Sequence, residues 1–246
     1  QAQGRSVAAV VYASPDLDLE EALAQLRADP NVLYAEPNYE MYALTAPNDP
    51  RYGEQWGLQR IKAEGAWADG EYILDQISGE ASPVTIAILD TGVDSNHEDL
   101  DSRVLSGYNL LTGSTNVEDD SVGSHGTLVA GIAAAITNNG KGVAGASGTY
   151  PVNILPVKVL DAVGIGSMYD VAQGICWAVD HGAKVISLSL GARLPDYPKT
   201  LAEAVQYAQD QGVLVVAAAG NEGKRIEGFY PACLPGVVTV VASDKN

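Results

Sequence analysis

The sequence predicts an α/β protein built on a mostly parallel sheet with helices on both faces, preceded by a small α+β domain. Two observations carry this prediction. Residues 84–94 form a β-branched apolar run that ends in Asp90 and a glycine turn. Residues 212–223 form a second apolar run, which ends in Gly220 and Asn221. Apolar residues at nearly every position indicate strands buried on both faces, as in parallel sheets covered by helices.

Composition and charge agree with a globular protein and narrow its partners. At 246 residues, with 46% hydrophobic and 18% charged residues, the chain can bury a substantial core. The net charge of −17 argues against a nucleic-acid partner, because phosphate binding needs clustered lysine and arginine. No apolar run approaches the roughly 20 residues that cross a bilayer, so no membrane partner is expected.

The first part of the chain differs in character from the rest. A strand is predicted at Val7–Tyr12, an amphipathic helix at Asp18–Leu26 and a second strand at Val32–Tyr42. A unit of this size holds too little core to be robust alone, so it should lean on another domain. The turn-rich residues 46–50 separate it from the rest of the chain. The predicted domains are therefore 1–45 and 46–246.

Two charged or titratable residues stand at positions suited to chemistry. Asp90 is predicted at the carboxyl end of its strand, where open α/β sheets bind their ligands. Taken alone, such an aspartate commonly only caps the following turn. His125 opens a predicted small-residue helix, and the glycines beside it, Gly123 and Gly126, let the backbone pack closely around the imidazole.

The segments around Asp90, His125 and Asn221, in that order, resemble the subtilisin-like serine proteases and most closely their thermitase branch. The resemblance runs from about residue 48 to residue 246. It implies a secreted endopeptidase that cuts polypeptides with an Asp-His-Ser triad. His125 would be the general base, Asp90 would orient it, and Asn221 would donate its amide to the oxyanion.

The resemblance also implies a substrate groove. Two glycine-containing segments would form backbone edges that pair with an extended peptide, which needs no particular side chains. Ala218 and Gly220 would shape an apolar primary pocket. The residues of the two edges are Gly164, Ile165 and Gly166 on one side and Ser189, Leu190 and Gly191 on the other.

Residues 29–39 resemble the end of the family's propeptide. The resemblance implies that the N-terminal domain chaperones folding and inhibits the active site, so that the chain is a zymogen that binds its own propeptide. The alternative is a plain structural extension.

A calcium ion is the cofactor that the resemblance implies. Calcium takes six to eight oxygens from carboxylates, amides and carbonyls, and an Asn- and Gly-rich loop can turn its carbonyls inward. The alternative is an ordinary turn. The implied ligands are the side chains of Asp49, Asp99 and Asn139 and the carbonyls of Ile136, Lys141 and Val143. The acidic residues Glu118, Asp119 and Asp120 leave two alternatives open, a second metal site or a solvated loop.

The family's nucleophile lies beyond the asparagine, in a Gly-Thr-Ser-Met-Ala helix start, and these 246 residues contain no such motif. Ser167 follows Asp90 and His125 in the right order, but it immediately precedes a predicted helix and is expected to be its N-cap. We therefore expect the chain to be a fragment, inactive alone, with a C-terminal fragment of the same protein among its candidate partners. The alternative is an inactive subtilase-fold protein that only binds peptides or partners; such a groove would need none of the three catalytic residues.

The remaining histidine and cysteine residues suggest no chemistry. His97 is predicted to be a surface or turn residue. Cys176 and Cys233 are expected to be free thiols, because two cysteines establish no disulfide without geometry.

Overall fold

The computed structural model describes residues 9–12, 18–37, 46–68 and 82–245. The chain divides into two compact units, Gln1–Ala43 and Leu44–Asn246. The larger unit holds all the residues discussed below as a candidate site.

The N-terminal unit contains one described helix, α1 (Leu19–Arg27). Its N-cap is Asp18, whose carboxylate accepts hydrogen bonds from the next amides at 3.2 and 3.3 Å. The described parts of the two predicted strands, residues 9–12 and 32–37, are not paired as strands, and their remaining residues lie outside the described ranges. An extended run becomes a strand only when a neighbour takes up its amides. Here Arg27 Nε instead donates to the carbonyl of Ala35 at 2.9 Å.

Six parallel strands form the sheet of the larger unit, in the order β2-β3-β1-β4-β6-β8. Strand β1 lies inside the sheet, between two strands that come later in the chain. A short antiparallel pair, β5 with β7, stands apart from the main sheet. The strands are β1 (Val84–Asp90), β2 (Tyr108–Asn109), β3 (Val152–Lys158), β4 (Val185–Leu188), β5 (Ala192–Arg193), β6 (Leu214–Ala218), β7 (Phe229–Tyr230) and β8 (Val238–Val240).

Helices cover both faces of the sheet, which confirms the predicted fold class. They are α2 (Trp56–Arg60), α3 (residues 63–68), α4 (His125–Ala134), α5 (Met168–Asp180) and α6 (Lys199–Asp210), with 3-10 turns at Tyr52–Glu54 and Asp101–Arg103. On one face Ile88 of β1 packs with Ala130 of α4. On the other face the next residue, Leu89, packs with Ile175 of α5. Each fully buried aliphatic side chain of this kind stabilises the fold by about 1.5–3 kcal/mol. No helix in the described parts of the chain is long and apolar enough to cross a membrane.

The α4 face of the sheet is only partly covered by the described residues. On β6, Val215 and Ala217 are buried in the core with α5 and α6, so their neighbours Leu214 and Val216 point to the α4 face. Leu214 is 47% exposed, and Val240, on the adjacent β8, is 53% exposed. An apolar face of this kind needs a covering layer.

The residues before β1 form a small satellite core against the loop that follows α4. Tyr52 and Trp67 are buried there, with ring centroids 6.3 Å apart. Burial and a 2.6 Å hydrogen bond to Glu64 raise the pKa of Tyr52 to about 12. This packing fixes the segment that begins at residue 46 against the loop 136–150.

Candidate active site

The predicted site residues lie at or after the ends of four neighbouring strands, at one edge of the sheet. Asp90 is the last residue of β1, and the segment after β3 leads to Gly164–Gly166. Ser189–Gly191 follows β4, and Gly220 and Asn221 follow β6. Because the strands are parallel, their carboxyl ends share one edge, which is where such sheets bind ligands.

Asp90 and His125 form a direct pair. The Asp90 side chain is fully buried, and its Oδ1 lies 2.7 Å from His125 Nδ1. The same oxygen accepts from the amide of Thr91 at 2.7 Å, whereas Oδ2 has no hydrogen-bond partner among the described residues. Half of the His125 side chain, 53%, is exposed. A buried carboxylate hydrogen-bonded to a half-exposed imidazole fixes the orientation of the ring.

Helix α4 places His125, and three side chains outside the helix hold its N-terminus. The first amides of a helix have no partner within it. His125 N donates to Ser121 Oγ at 3.2 Å, Gly126 N to Thr91 Oγ1 at 3.0 Å, and Thr127 N to Asp119 Oδ2 at 2.9 Å. The N-cap residue itself, Ser124, makes no side-chain cap. Thr91, which follows β1, and the acidic loop, residues 118–121, therefore cap the helix together.

Asp119 is the centre of this network. Its carboxylate accepts from Thr91 Oγ1 at 2.9 Å and from Ser121 Oγ at 2.6 Å, besides the amide and hydroxyl of Thr127. Burial opposes the ionisation of Asp119, but these hydrogen bonds outweigh it and hold its pKa below the ordinary aspartate value. Asp119 was missed in the sequence as a structural residue, because its partners lie up to 28 residues away.

A buried lysine lies beside the end of β1. Lys158 of β3 is the register partner of Asp90 and is 5% exposed. Its Nζ donates to the carbonyl of Thr91 and, at 2.8 Å, to Asp120 Oδ1. The hydrogen bond from Lys158 is the main cause that lowers the pKa of Asp120.

The acidic loop is thus neither a purely solvated loop nor a cluster of free carboxylates. Asp119 caps α4, Asp120 pairs with Lys158, and Glu118 accepts from Ser95 Oγ at 2.7 Å. The described residues include no group of three or more His, Cys, Asp or Glu side chains that could hold a metal.

A cavity of about 890 Å³ opens in front of His125. Both predicted backbone edges line it, Gly164–Gly166 and Ser189–Gly191. Ser167 also lines it, and its Oγ accepts from Asp170 N at 3.0 Å, so it is the N-cap of α5 as predicted. Ala218, Gly220 and Asn221 do not line this cavity.

Arg193 fastens the loop that follows Asn221. Its guanidinium donates to Glu222 Oε2 at 2.8 Å, to the carbonyl of Glu227 at 2.8 Å and to the carbonyl of Arg225 at 2.6 Å. One side chain after the Ser189–Gly191 edge therefore holds the loop through the Glu222 side chain and the backbone of Arg225 and Glu227. Nothing in the sequence pattern pointed to this role.

Two buried carboxylates meet at the loop 136–143. Asp49 is 4% and Asp99 2% exposed, and no salt bridge joins either to a described residue. Asp49 Oδ1 accepts from Asn139 N at 3.3 Å, and Asp99 Oδ1 accepts from Asn139 Nδ2 at 2.7 Å. A β-carbon on Gly142 would lie 2.2 Å from Asp99 Oδ2, so only glycine leaves room for that carboxylate.

These residues fit a hard cation. Each carboxylate oxygen of Asp49 and Asp99 accepts one hydrogen bond and keeps a free lone pair. The described residues donate no hydrogen bond to the carbonyls of Ile136, Lys141 or Val143. Two buried carboxylates that form no salt bridge with the described residues are costly, and a divalent ion would neutralise them.

The other sequence expectations fall on peripheral positions. His97 is exposed and accepts from Asp99 N at 3.2 Å within a turn. Cys176 and Cys233 are free thiols.

Comparisons with known proteins agree with this geometry. Residues 81–246 match the model of the subtilase family. The chain is 42% identical to the thermophilic serine proteinase of Bacillus sp. (strain AK1), over 93% of this chain and 53% of that protein. It is 44% identical to thermitase of Thermoactinomyces vulgaris, over 81% of this chain and 66% of thermitase. An extracellular protease of Xanthomonas campestris is 33% identical, over 95% of this chain and 45% of that protein.

Solved structures give the same result. A protease of Pseudoalteromonas arctica PAMC 21717 superposes with a TM-score of 0.66 at 31% identity, over 79% of this chain and 65% of that one. The chain spans about half to two thirds of the length of the relatives named above. It belongs to the subtilase family.

Proposed function

We propose that the complete protein is a secreted serine endopeptidase and that residues 46–246 supply most of its catalytic domain. The observation that carries this proposal is the Asp90–His125 pair, which is 2.7 Å long and faces the cavity between two backbone edges. A site that only binds peptides has no need of a buried carboxylate behind an imidazole. The extracellular relative from Xanthomonas supports secretion.

In the proposed mechanism His125 takes the proton of a serine hydroxyl while that oxygen attacks the peptide carbonyl, and then returns the proton to the leaving amine. Asp90 keeps Nδ1 protonated, so that Nε2 is free to act as the base. It also stabilises the imidazolium that forms. Asn221 donates its side-chain amide to the oxyanion. Removing such a donor from a subtilisin costs roughly 10²–10³ in turnover.

The serine in this proposal comes from outside residues 1–246. Among the described residues, the only hydrogen bond of the His125 ring goes to Asp90. Two hydroxyls that line the cavity are engaged elsewhere, Ser121 with Asp119 and Ser167 with Asp170. The apolar α4 face above β6 and β8 offers a place for further chain to pack. Residues 1–246 alone should then be inactive.

Two further parts of the proposal concern the ion and the N-terminal unit. We propose that calcium binds Asp49, Asp99 and Asn139 together with the carbonyls of the loop 136–143. There it would neutralise two buried carboxylates and tie the segment that begins at residue 46 to the loop. We also propose that residues 1–45 are a propeptide that inhibits the groove until cleavage. A tethered inhibitor has a high effective concentration, which falls when the chain is cut.

A fluorophosphonate probe tests the function. The complete protein should be labelled and should hydrolyse casein, whereas residues 1–246 alone and the H125A variant of the complete protein should do neither. Equal labelling of the wild type and H125A would contradict the proposed base. Peptide binding to a complete, folded protein without any labelling would identify the binding-only alternative.

A separate experiment tests the propeptide. Added segment 1–45 should inhibit the processed enzyme competitively. No inhibition, or inhibition that saturating substrate cannot relieve, would leave the segment as a structural extension.

A further inference from the structure

The ring of Phe229 lies between Gly191, at the end of the Ser189–Gly191 edge, and Gly220, which is predicted to shape the primary pocket. These two glycines are the two walls of the space that the ring occupies. A β-carbon on Gly191 would stand 2.6 Å from Cε1 and 2.9 Å from Cζ of Phe229. A β-carbon on Gly220 would stand 2.8 Å from the same Cζ. Carbon atoms do not approach so closely, so the ring already touches both glycine backbones. Gly191 belongs to one wall and Gly220 to the other, so the ring fills the space where they face each other.

The ring is held in this position by the fold around it. Phe229 is 6% exposed and belongs to the main hydrophobic core. Its backbone pairs with Arg193 in the antiparallel β5–β7 ribbon, and its amide donates to Ile226 O at 2.8 Å. The Arg193 guanidinium carbon lies 6.0 Å from the ring centroid. A substrate side chain would have to displace a packed aromatic ring, which close-packed interiors resist.

The shape of the cavity agrees with a filled pocket. Its lining includes Gly191, Ala192, Tyr230 and Pro231 but stops short of Gly220. The open part of the groove therefore runs along the Gly164–Gly166 and Ser189–Gly191 edges. A substrate backbone can lie against these edges, but little room is left for a side chain between the two walls.

We infer that Phe229 determines specificity by restricting the residue on the acyl side of the scissile bond to small side chains, namely glycine, alanine and serine. This inference rests on the proposed endopeptidase function. A large aromatic or aliphatic side chain would collide with the ring edge, whereas a methyl or hydroxymethyl group fits beside it. The pocket expected from small wall residues alone would be open and apolar. The Phe229 ring fills most of that space instead.

The test uses the complete, processed enzyme and the chromogenic peptides succinyl-Ala-Ala-Pro-X-p-nitroanilide, with X as Ala, Leu or Phe. The wild type should show kcat/KM at least about 10-fold higher for Ala than for Phe, the range that pocket size alone can supply. In F229A and F229G the ranking should reverse, with Phe and Leu gaining about 10-fold or more. The control is W177A, which removes an aromatic ring packed on the same core but remote from the cavity, and it should keep the wild-type ranking.

The outcomes separate the inference from the function on which it rests. A folded complete protein that hydrolyses neither casein nor any of the peptides refutes the endopeptidase function, and the inference with it. Hydrolysis of casein but not of the Ala peptide overturns the inference alone. Hydrolysis with Phe equal to or better than Ala in the wild type overturns the inference alone. The inference is also overturned if folded F229A or F229G keeps the wild-type ranking of kcat/KM. It is overturned as well if W177A shifts the ranking as F229A does. If both Phe229 variants fail to fold, the wild-type ranking decides.

Discussion

The network around Asp119 gives a stability prediction whose size follows from its contacts. D119A removes an ionised acceptor from two hydroxyls and from the amide and hydroxyl of Thr127. One hydrogen bond to a charged group contributes about 1.5–3 kcal/mol, and loss of a helix cap costs about 0.5–2 kcal/mol. These terms overlap, and the Ser121 hydroxyl, which is only partly buried, regains water. We therefore expect D119A to lower the free energy of unfolding by about 2–3 kcal/mol.

Thermal unfolding of residues 1–246 measures this change. For a unit of this size, 2–3 kcal/mol corresponds to a fall in Tm of about 4–12 °C. The matched control is E118A, the preceding carboxylate, whose side chain accepts an exposed hydrogen bond from Ser95. A surface change of this kind should stay within about 0.5 kcal/mol. Equal losses in D119A and E118A would refute the assignment of Asp119 as the cap of the catalytic helix.

The pH dependence of D119N checks the same reasoning through the charge. The folded-state pKa of Asp119 is depressed, so its ionisation contributes stability that is present above the unfolded value of about 3.9 and is lost as pH falls through the folded value. The gap in unfolding free energy between the wild type and D119N should therefore be constant from about pH 5 to 7 and shrink in more acidic solution. A gap that widens in acid would show that the carboxylate is not the stabilising form.

Three other outcomes are expected. Calcium at 100 times its Kd should stabilise the wild type by about 2.7 kcal/mol and D99N far less, with E98Q as the exposed control; a wild-type Tm that chelation leaves unchanged would remove the site. S167A should cost about 1 kcal/mol as a lost N-cap, yet the complete protein should still label with fluorophosphonate, and loss of labelling with the fold intact would make Ser167 the nucleophile after all. R193A should lower kcat of the complete enzyme about 10-fold, because the loop after β6 loses its anchor, with KM less affected. R225A, which breaks only an exposed ion pair, should leave kcat unchanged, and an equal effect of both substitutions would exclude the anchoring role.

The parts of the fold that the sequence predicts are those set by local pattern. The apolar run before Asp90 is a buried strand, a small-residue helix does begin at His125, and Ser167 caps the next helix. Each of these depends on residues within about one turn or one strand of the feature itself. The subtilase resemblance and the α/β class, which rest on such segments in order, are both confirmed.

The parts that it does not predict depend on partners distant in the chain. The role of Asp119 requires Thr91 and Thr127 to meet around it, and no periodicity encodes that meeting. Phe229 is the single phenylalanine in the sequence, but its position between two glycines follows from the β5–β7 pairing. Residues 9–12 and 32–37 have β propensity but no partner strand among the described residues, and propensity alone does not form a sheet.

The position of β1 also sets an order of events during synthesis. Its two neighbours are made long after it: Val84 pairs with Val152 of β3, and Ile86 pairs with Val185 of β4. A nascent chain that already contains Asp90 and His125 therefore has no sheet edge on which to hold them. Non-local pairings of this kind form slowly, because closing long loops costs entropy before the contacts form. Such a chain cannot bring Asp90 and His125 together while it is still short, so the pair forms only after most of the larger unit has left the ribosome.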